Sequence, residues 1–117
     1  MAAPVDPAYR AQLQALGERY AASIPERMLA IAQALAAAGE NPDREALEGV
    51  HHGLHVVAGS AGSFGFTVLG TEARRLEQLV RGLLAGQPGW ASVVPQIHAY
   101  LDWAAIDPKS ATYPPHD

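Results

Sequence analysis

The chain has no cysteine among its 117 residues, which excludes disulfides, thiol nucleophiles and thiolate metal sites. Basic residues are also few, since eight Lys and Arg stand against twelve Asp and Glu, for a formal net charge of −4. No basic run neutralises nucleic-acid phosphates, so we expect no nucleic-acid partner. No stretch approaches the roughly 18 apolar residues of a membrane span, and the N-terminus lacks a signal-peptide pattern. We therefore expect a cytoplasmic protein with no membrane contact.

Long alternation of apolar and polar residues, the pattern of half-buried strands, is absent as well. The chain is instead 49% hydrophobic and dominated by alanine and leucine at helical spacing. This pattern predicts an all-α fold, an antiparallel four-helix bundle with an additional N-terminal helix. We expect a single domain over residues 1–107 and a frayed C-terminal tail over residues 108–117.

Two local signals divide the first forty residues into two predicted helices. Asp6 before Pro7 is a good helix start, and we expect this additional helix to end near Ala22. Ser23 and Glu26 then form a capping box, which predicts a new helix that ends at Gly39.

Three further helices complete the predicted bundle. They begin at Asn41-Pro42-Asp43, at Thr67 and after Gly86-Gln87-Pro88-Gly89. In the helix that begins at Thr67, we expect Arg74, Glu77 and Arg81 to face water.

The most informative position is His55, which lies on the predicted helix that runs toward Gly62. Residues four apart share a helix face, so Gly59 leaves bare backbone beside the His55 imidazole. Glycine inside a helix costs roughly 0.5–1 kcal/mol relative to alanine, and a half-buried structural histidine gains nothing from that gap. A nucleophile that meets a phosphoryl group in line needs the clearance. We therefore predict that His55 carries a phosphoryl group.

Imidazole suits this role because much of it is neutral at cellular pH, with a lone pair on one ring nitrogen. The chain has no glycine-rich loop joined to a lysine, as nucleotide sites have. We expect no ATP-dependent kinase activity and no cofactor bound by this chain.

Around His55 and Gly59 the sequence resembles the histidine-containing phosphotransfer (Hpt) domains of two-component phosphorelays. The resemblance covers about residues 20–105 and is carried by His55-Val56-Val57-Ala58-Gly59-Ser60, the connection Ser63-Phe64-Gly65-Phe66, and Ala73-Arg74-Arg75-Leu76-Glu77. It implies a four-helix bundle whose histidine exchanges phosphate through Nε2 with an aspartate on a response-regulator receiver domain. It also implies Mg²⁺ on that receiver, and a hybrid sensor histidine kinase as a further partner.

The chain departs from the family pattern at Ala58, where many members have Lys or Arg to neutralise the phosphate. A charge-assisted hydrogen bond contributes roughly 1.5–3 kcal/mol, so its loss would weaken phosphate binding. His52 and Arg75 are candidates to replace this cation. For His52, the alternative is an ordinary surface histidine that contacts only solvent. Ser60 either contacts the phosphate or hydrogen-bonds back to its own helix.

The resemblance also implies an apolar docking patch for the receiver on the helix that bears the histidine. The expected contact residues are Val56, Gly59, Ser63, Phe64 and Phe66. For Phe64 and Phe66 the alternative is burial at the end of the bundle.

His51 and His55 stand four apart, a spacing that also occurs in metal sites. No Asp or Glu lies between or beside them in a metalloprotease pattern, so we predict no metal site.

Two functions remain open from the sequence. The first is a phosphorelay intermediate with His55 as the acceptor and donor. The second is a binding-only helical module of the same fold that is not phosphorylated, which the absence of a cation at Ala58 favours.

Overall fold

A computed structural model describes residues 6–115, and the first five and last two residues lie outside it. The described part contains no strand. Four α-helices follow one another, with a short 3-10 helix after the second: α1 Pro7–Ala38, α2 Arg44–Ser60, the 3-10 helix Ala61–Phe64, α3 Thr67–Leu84 and α4 Trp90–Ile106. The expected all-α fold is confirmed. None of the described helices combines the length and hydropathy needed to span a membrane.

The predicted break in the first forty residues is wrong, because α1 continues through it. Ser23 does not cap a new helix; its hydroxyl donates to the Tyr20 carbonyl oxygen at 2.7 Å. Tyr20 and Ile24 are buried on either side of the expected break, so one apolar stripe runs across it. Pro25 removes one backbone donor, but it lies on the exposed face, where water can satisfy the freed carbonyl.

The additional N-terminal helix is therefore the first part of α1. Residues 7–16 are exposed throughout, and they extend beyond the packed helices of a molecule that measures 55 × 28 × 27 Å.

Helix α2, which bears His55, begins as the sequence predicts. The Asp43 carboxylate accepts a hydrogen bond from the Ala46 backbone N–H at 2.8 Å, satisfying one of the free donors of the first turn. Val50, Leu54 and Val57 form its fully buried stripe. This burial fixes the rotation of α2, and with it the direction in which His55 points.

Short side chains allow α2 to approach its two neighbours closely. A Cβ atom added at Gly53 would lie 3.0 Å from Ile31 Cγ1 on α1. One added at Gly70 of α3 would lie 3.3 Å from the Ala61 Cβ. Helices α2 and α3 are antiparallel, because residue numbers rise along one and fall along the other at their contacts. These contacts are His55 with Glu77, Ala58 with Arg74, and Ala61, just after α2, with Gly70.

Helix α4 is joined to α3 by a buried hydrogen bond. The Tyr100 hydroxyl donates to the Leu69 carbonyl oxygen at 2.9 Å. Burial raises the pKa of Tyr100 far above its usual range, so the hydroxyl keeps the proton that it donates.

The segment after α4, where the sequence predicts a frayed tail, contacts the helices through its described residues. Trp103 Nε1 donates to the Thr112 carbonyl oxygen at 2.9 Å, and the Tyr113 ring lies 5.1 Å from the Trp103 ring. Lys109 Nζ stands 5.7 Å above the Phe66 ring. The aromatic side chains give this proline-rich segment a surface to fold back on; residues 116 and 117 of the predicted tail lie outside the described residues.

We predict that Gly53→Ala is less stable than Gly49→Ala, a matched change one turn earlier on α2. Both gain the helix preference of alanine, about 1 kcal/mol. Only the Gly53 variant overpacks the buried Ile31, which costs about 1–3 kcal/mol, because a Cβ at Gly49 would meet no atom within 4 Å. Urea unfolding followed by circular dichroism measures the difference. Equal stability of the two variants would contradict this close approach.

Candidate functional site

The His55 ring stands at the surface with one nitrogen fixed and the other free for chemistry. Its side chain is 61% exposed, and Nδ1 lies 2.8 Å from Glu77 Oε1 on α3. A carboxylate oxygen accepts hydrogen bonds, so Nδ1 carries the proton of the neutral ring. The lone pair is then on Nε2, the atom that the family resemblance implies for phosphoryl exchange.

The expectation that Glu77 faces water is wrong, because its side chain is only 7% exposed. At about 100° per residue, Glu77 lies about 70° round from the centre of the buried stripe of α3, on the flank that packs against α2. Sequence reasoning treated it as one of a series of surface charges with Arg74 and Arg81. Its position beside Leu76 and one turn after Ala73 is the signal that could have identified it.

Three side-chain nitrogen atoms lie within 3.5 Å of the same Glu77 oxygen. Besides His55 Nδ1, Arg81 Nη2 lies 3.0 Å from Oε1, and His51 Nε2 lies 3.5 Å from it. The His51 and His55 rings are stacked, with centroids 5.8 Å apart and an interplanar angle of 14°. Glu77 therefore connects both histidines and a surface arginine.

A cation approaches α2 at the position where the sequence lacks one. Arg74 Nη2 on α3 donates to the Ala58 carbonyl oxygen at 3.1 Å, one turn after His55. Arg75, the substitute that the sequence suggested, instead donates to Glu72 at 2.9 Å and to Gln96 on α4 at 2.8 Å. Its guanidinium is thus held at the α3–α4 side and not beside His55.

Gly59 is exposed, and a Cβ atom there would meet no atom within 4 Å. Ser60 follows the second of its two interpretations, since its hydroxyl donates to the Val56 carbonyl oxygen at 2.7 Å. It also shares a hydrogen bond of 2.9 Å with the Tyr20 hydroxyl. The open backbone at Gly59 is present, and its use by a partner stays a prediction.

The expected docking residues are divided between surface and core. Ser63 is exposed, while Val56 and Phe64 are half-buried. The Phe64 ring stacks on the Tyr20 ring, with the ring centroids 4.8 Å apart. Phe66 follows the alternative of burial, because its side chain lies in the core.

His52 is exposed and lies on the α1 side of α2. It lines a shallow groove with Ser23, Glu26 and Arg27 of α1 and with Val56. It is separated from the Glu77 side of the helix, which makes it a suitable comparison residue for His55.

Across residues 6–115, no set of three or more His, Cys, Asp or Glu side chains is arranged to hold a metal ion.

Comparison with known proteins agrees with this geometry, as the family model described as Hpt domain matches residues 15–105. The chain belongs to the Hpt domain family. Membership gives it a phosphotransfer role in two-component signalling. The search of curated proteins and the search of solved structures found no match. Hpt domains in general interact with receiver domains and kinases.

We predict that Glu77→Leu releases the His55 ring. Without the carboxylate, Nδ1 loses its acceptor, and the neutral ring relaxes from the Nδ1–H form to a mixture of both tautomers. Ring ¹⁵N chemical shifts of His55 report the tautomer directly. Glu48→Leu, a change of an exposed glutamate on α2 that pairs with Arg44, is the control and should leave these shifts unchanged. An unaltered tautomer in Glu77→Leu would show that the carboxylate does not set it.

Proposed function

We propose that His55 is the phosphoryl acceptor and donor of this Hpt domain, exchanging the group with an aspartate of a response-regulator receiver domain in the cytoplasm. The observation that carries the proposal is the exposed ring whose Nδ1 is held by a buried carboxylate. A hybrid sensor histidine kinase is a further expected partner, since such kinases carry receivers.

In the proposed reaction, the Nε2 lone pair of His55 attacks the phosphorus of an aspartyl phosphate. The N–P bond forms as the P–O bond to the aspartate breaks, and the aspartate leaves as a carboxylate. The imidazole retains its Nδ1 proton, so the ring becomes positively charged as the new bond forms. Glu77 Oε1, 2.8 Å from Nδ1, lies where this charge develops.

The remaining requirements are positioning and neutralisation of phosphate charge. We expect Mg²⁺ on the receiver to supply part of the charge. In this proposal, Arg74 supplies the remaining positive charge. Its guanidinium is held one turn from His55 by the Ala58 carbonyl, and its side chain is exposed. It stands in for the Lys or Arg that many family members place three residues after the histidine.

The partner surface of the proposal consists of Val56, Gly59, Ser63 and the half-buried Phe64. These residues lie on or just after the turn that follows His55. A flat receiver surface can approach this side because Gly59 has no side chain. Arg75 is left out, since its guanidinium is held on the α4 side. His52 shares a groove with Val56 but lies away from Glu77, and it serves as the comparison residue for His55.

A binding-only module of the same fold is the second candidate. The observation in its favour is Ala58, which carries no cation of its own. The lack of a cation at Ala58 is weaker evidence against phosphorylation once Arg74 is considered. Its guanidinium reaches the same turn from α3 and donates to the Ala58 carbonyl oxygen. Receiver binding without phosphorylation would identify the second candidate.

We predict that His55→Gln abolishes phosphorylation while the fold is kept, because the exposed ring contributes little to the core. His52→Gln, a change on the same helix away from Glu77, is the control and should label normally. The measurement is incubation with a receiver and acetyl phosphate, followed by counting phosphate that is acid-labile and base-stable. Circular dichroism checks the fold of both variants. Label that persists in His55→Gln, or its absence from the wild-type chain, would contradict the proposal.

We predict that Gly59→Leu slows transfer from the receiver by about tenfold or more, since small misplacements at a reacting centre are costly. Leucine favours the helix by nearly 1 kcal/mol over glycine, so stability should not fall. Gly49→Leu is the matched control, because both glycines are exposed on α2 with no atom within 4 Å of an added Cβ. Normal transfer by Gly59→Leu would remove the role given to the open backbone.

A further inference from the structure

We propose that His51 is a positioning residue for His55 and acts through Glu77; this rests on the proposed function of His55. In this arrangement, His51 Nε2–H donates to Glu77 Oε1 and holds the carboxylate in the orientation that fixes the His55 tautomer.

The first observation is an unpartnered buried atom. Within residues 6–115, His51 Nε2 is the buried side-chain nitrogen or oxygen that has no hydrogen-bond partner. It lies 3.5 Å from Glu77 Oε1, so a shift of a few tenths of an ångström would complete a hydrogen bond. Buried polar groups are nearly always satisfied, and this carboxylate is the acceptor within reach.

The identity of the acceptor settles which ring nitrogen of His51 carries the proton. A lone pair on Nε2 would face the carboxylate oxygen, and two acceptors at this distance repel each other. A proton on Nε2 converts that repulsion into attraction. The proposed role of His51 is therefore to donate from Nε2, in a ring whose centroid lies 5.8 Å from that of His55.

Burial makes His51 a better anchor for Glu77 than Arg81 is. The Arg81 side chain is 63% exposed, so solvent and salt screen its pairing with Glu77, whereas that of His51 is only 22% exposed. The three donors share one oxygen, and the two besides His55 oppose rotation of the carboxylate. Loss of the buried donor should loosen the hold of Glu77 on His55 Nδ1.

Stacking of the His51 ring on His55 is the competing explanation, and three replacements separate it from donation. His51→Gln keeps a donor without a ring, since its amide nitrogen stands the same number of bonds from the backbone as His51 Nε2. His51→Met has nearly the shape of Gln but no donor. His51→Phe keeps the ring but has no donor. Circular dichroism and urea unfolding establish that each variant is folded.

The main measurement is the His55 tautomer from ring ¹⁵N shifts of the unphosphorylated chain, at a pH where imidazoles are neutral. We expect His51→Gln to retain the Nδ1–H form, and His51→Met and His51→Phe to lose part of it. Transfer from a phosphorylated receiver should fall about threefold to tenfold in Met and Phe, the factor that one hydrogen bond contributes, and should stay within about twofold in Gln.

Three results would overturn the proposal: an unchanged tautomer in Met and Phe, normal behaviour of Phe together with impairment of Gln, or equal impairment of all three. The second would assign the effect to stacking. Because the tautomer is measured without phosphate, these results are distinct from failure of the proposed function, which His55→Gln tests. A chain that is never phosphorylated could still show the tautomer change, and a phosphorylated chain could lack it.

Discussion

The structure of the site depends on one buried carboxylate. Glu77 is almost entirely removed from water, and an ionised carboxylate in such a place is costly unless it is paired and hydrogen-bonded. On α2 it is hydrogen-bonded to His55 and lies 3.5 Å from His51 Nε2, and on α3 it accepts a hydrogen bond from Arg81. The carboxylate can be buried only while α2 and α3 keep this register, so packing and chemistry impose the same constraint.

The same register determines the other contacts along the α2–α3 interface. One turn from Glu77, Arg74 lies opposite Ala58, and one turn further Gly70 lies opposite Ala61. The small residues at the end of the interface let the helices approach there, while the polar residues meet near the surface. A shift of α3 by one turn would strand the carboxylate and press a side chain against Ala61.

The sequence predicts the parts of the fold that are set by strong local or periodic signals. Asp43 begins α2, and the stripe through Val50 and Leu54 gives its rotation, which places His55 at an edge. Two predictions fail because packing between helices outweighs the local signal. The capping box at Ser23 does not begin a new helix, because the apolar stripe of α1 continues across it. Glu77 is buried because His55 on the neighbouring helix accommodates its carboxylate, and that contact cannot be seen in the sequence of α3 alone.

The position of the missing cation follows from the same reasoning. A family pattern along one helix places the phosphate-neutralising cation three residues after the histidine. By that pattern, Ala58 indicates that the cation has been lost. In three dimensions the charge needs only to reach the same turn, and a neighbouring helix can provide it. Arg74 reaches that turn because the Glu77 contact fixes which residue of α3 faces Ala58. The absence of a side-chain cation at one position is therefore weak evidence against phosphoryl transfer, since the carboxylate that orients His55 also sets where Arg74 lies.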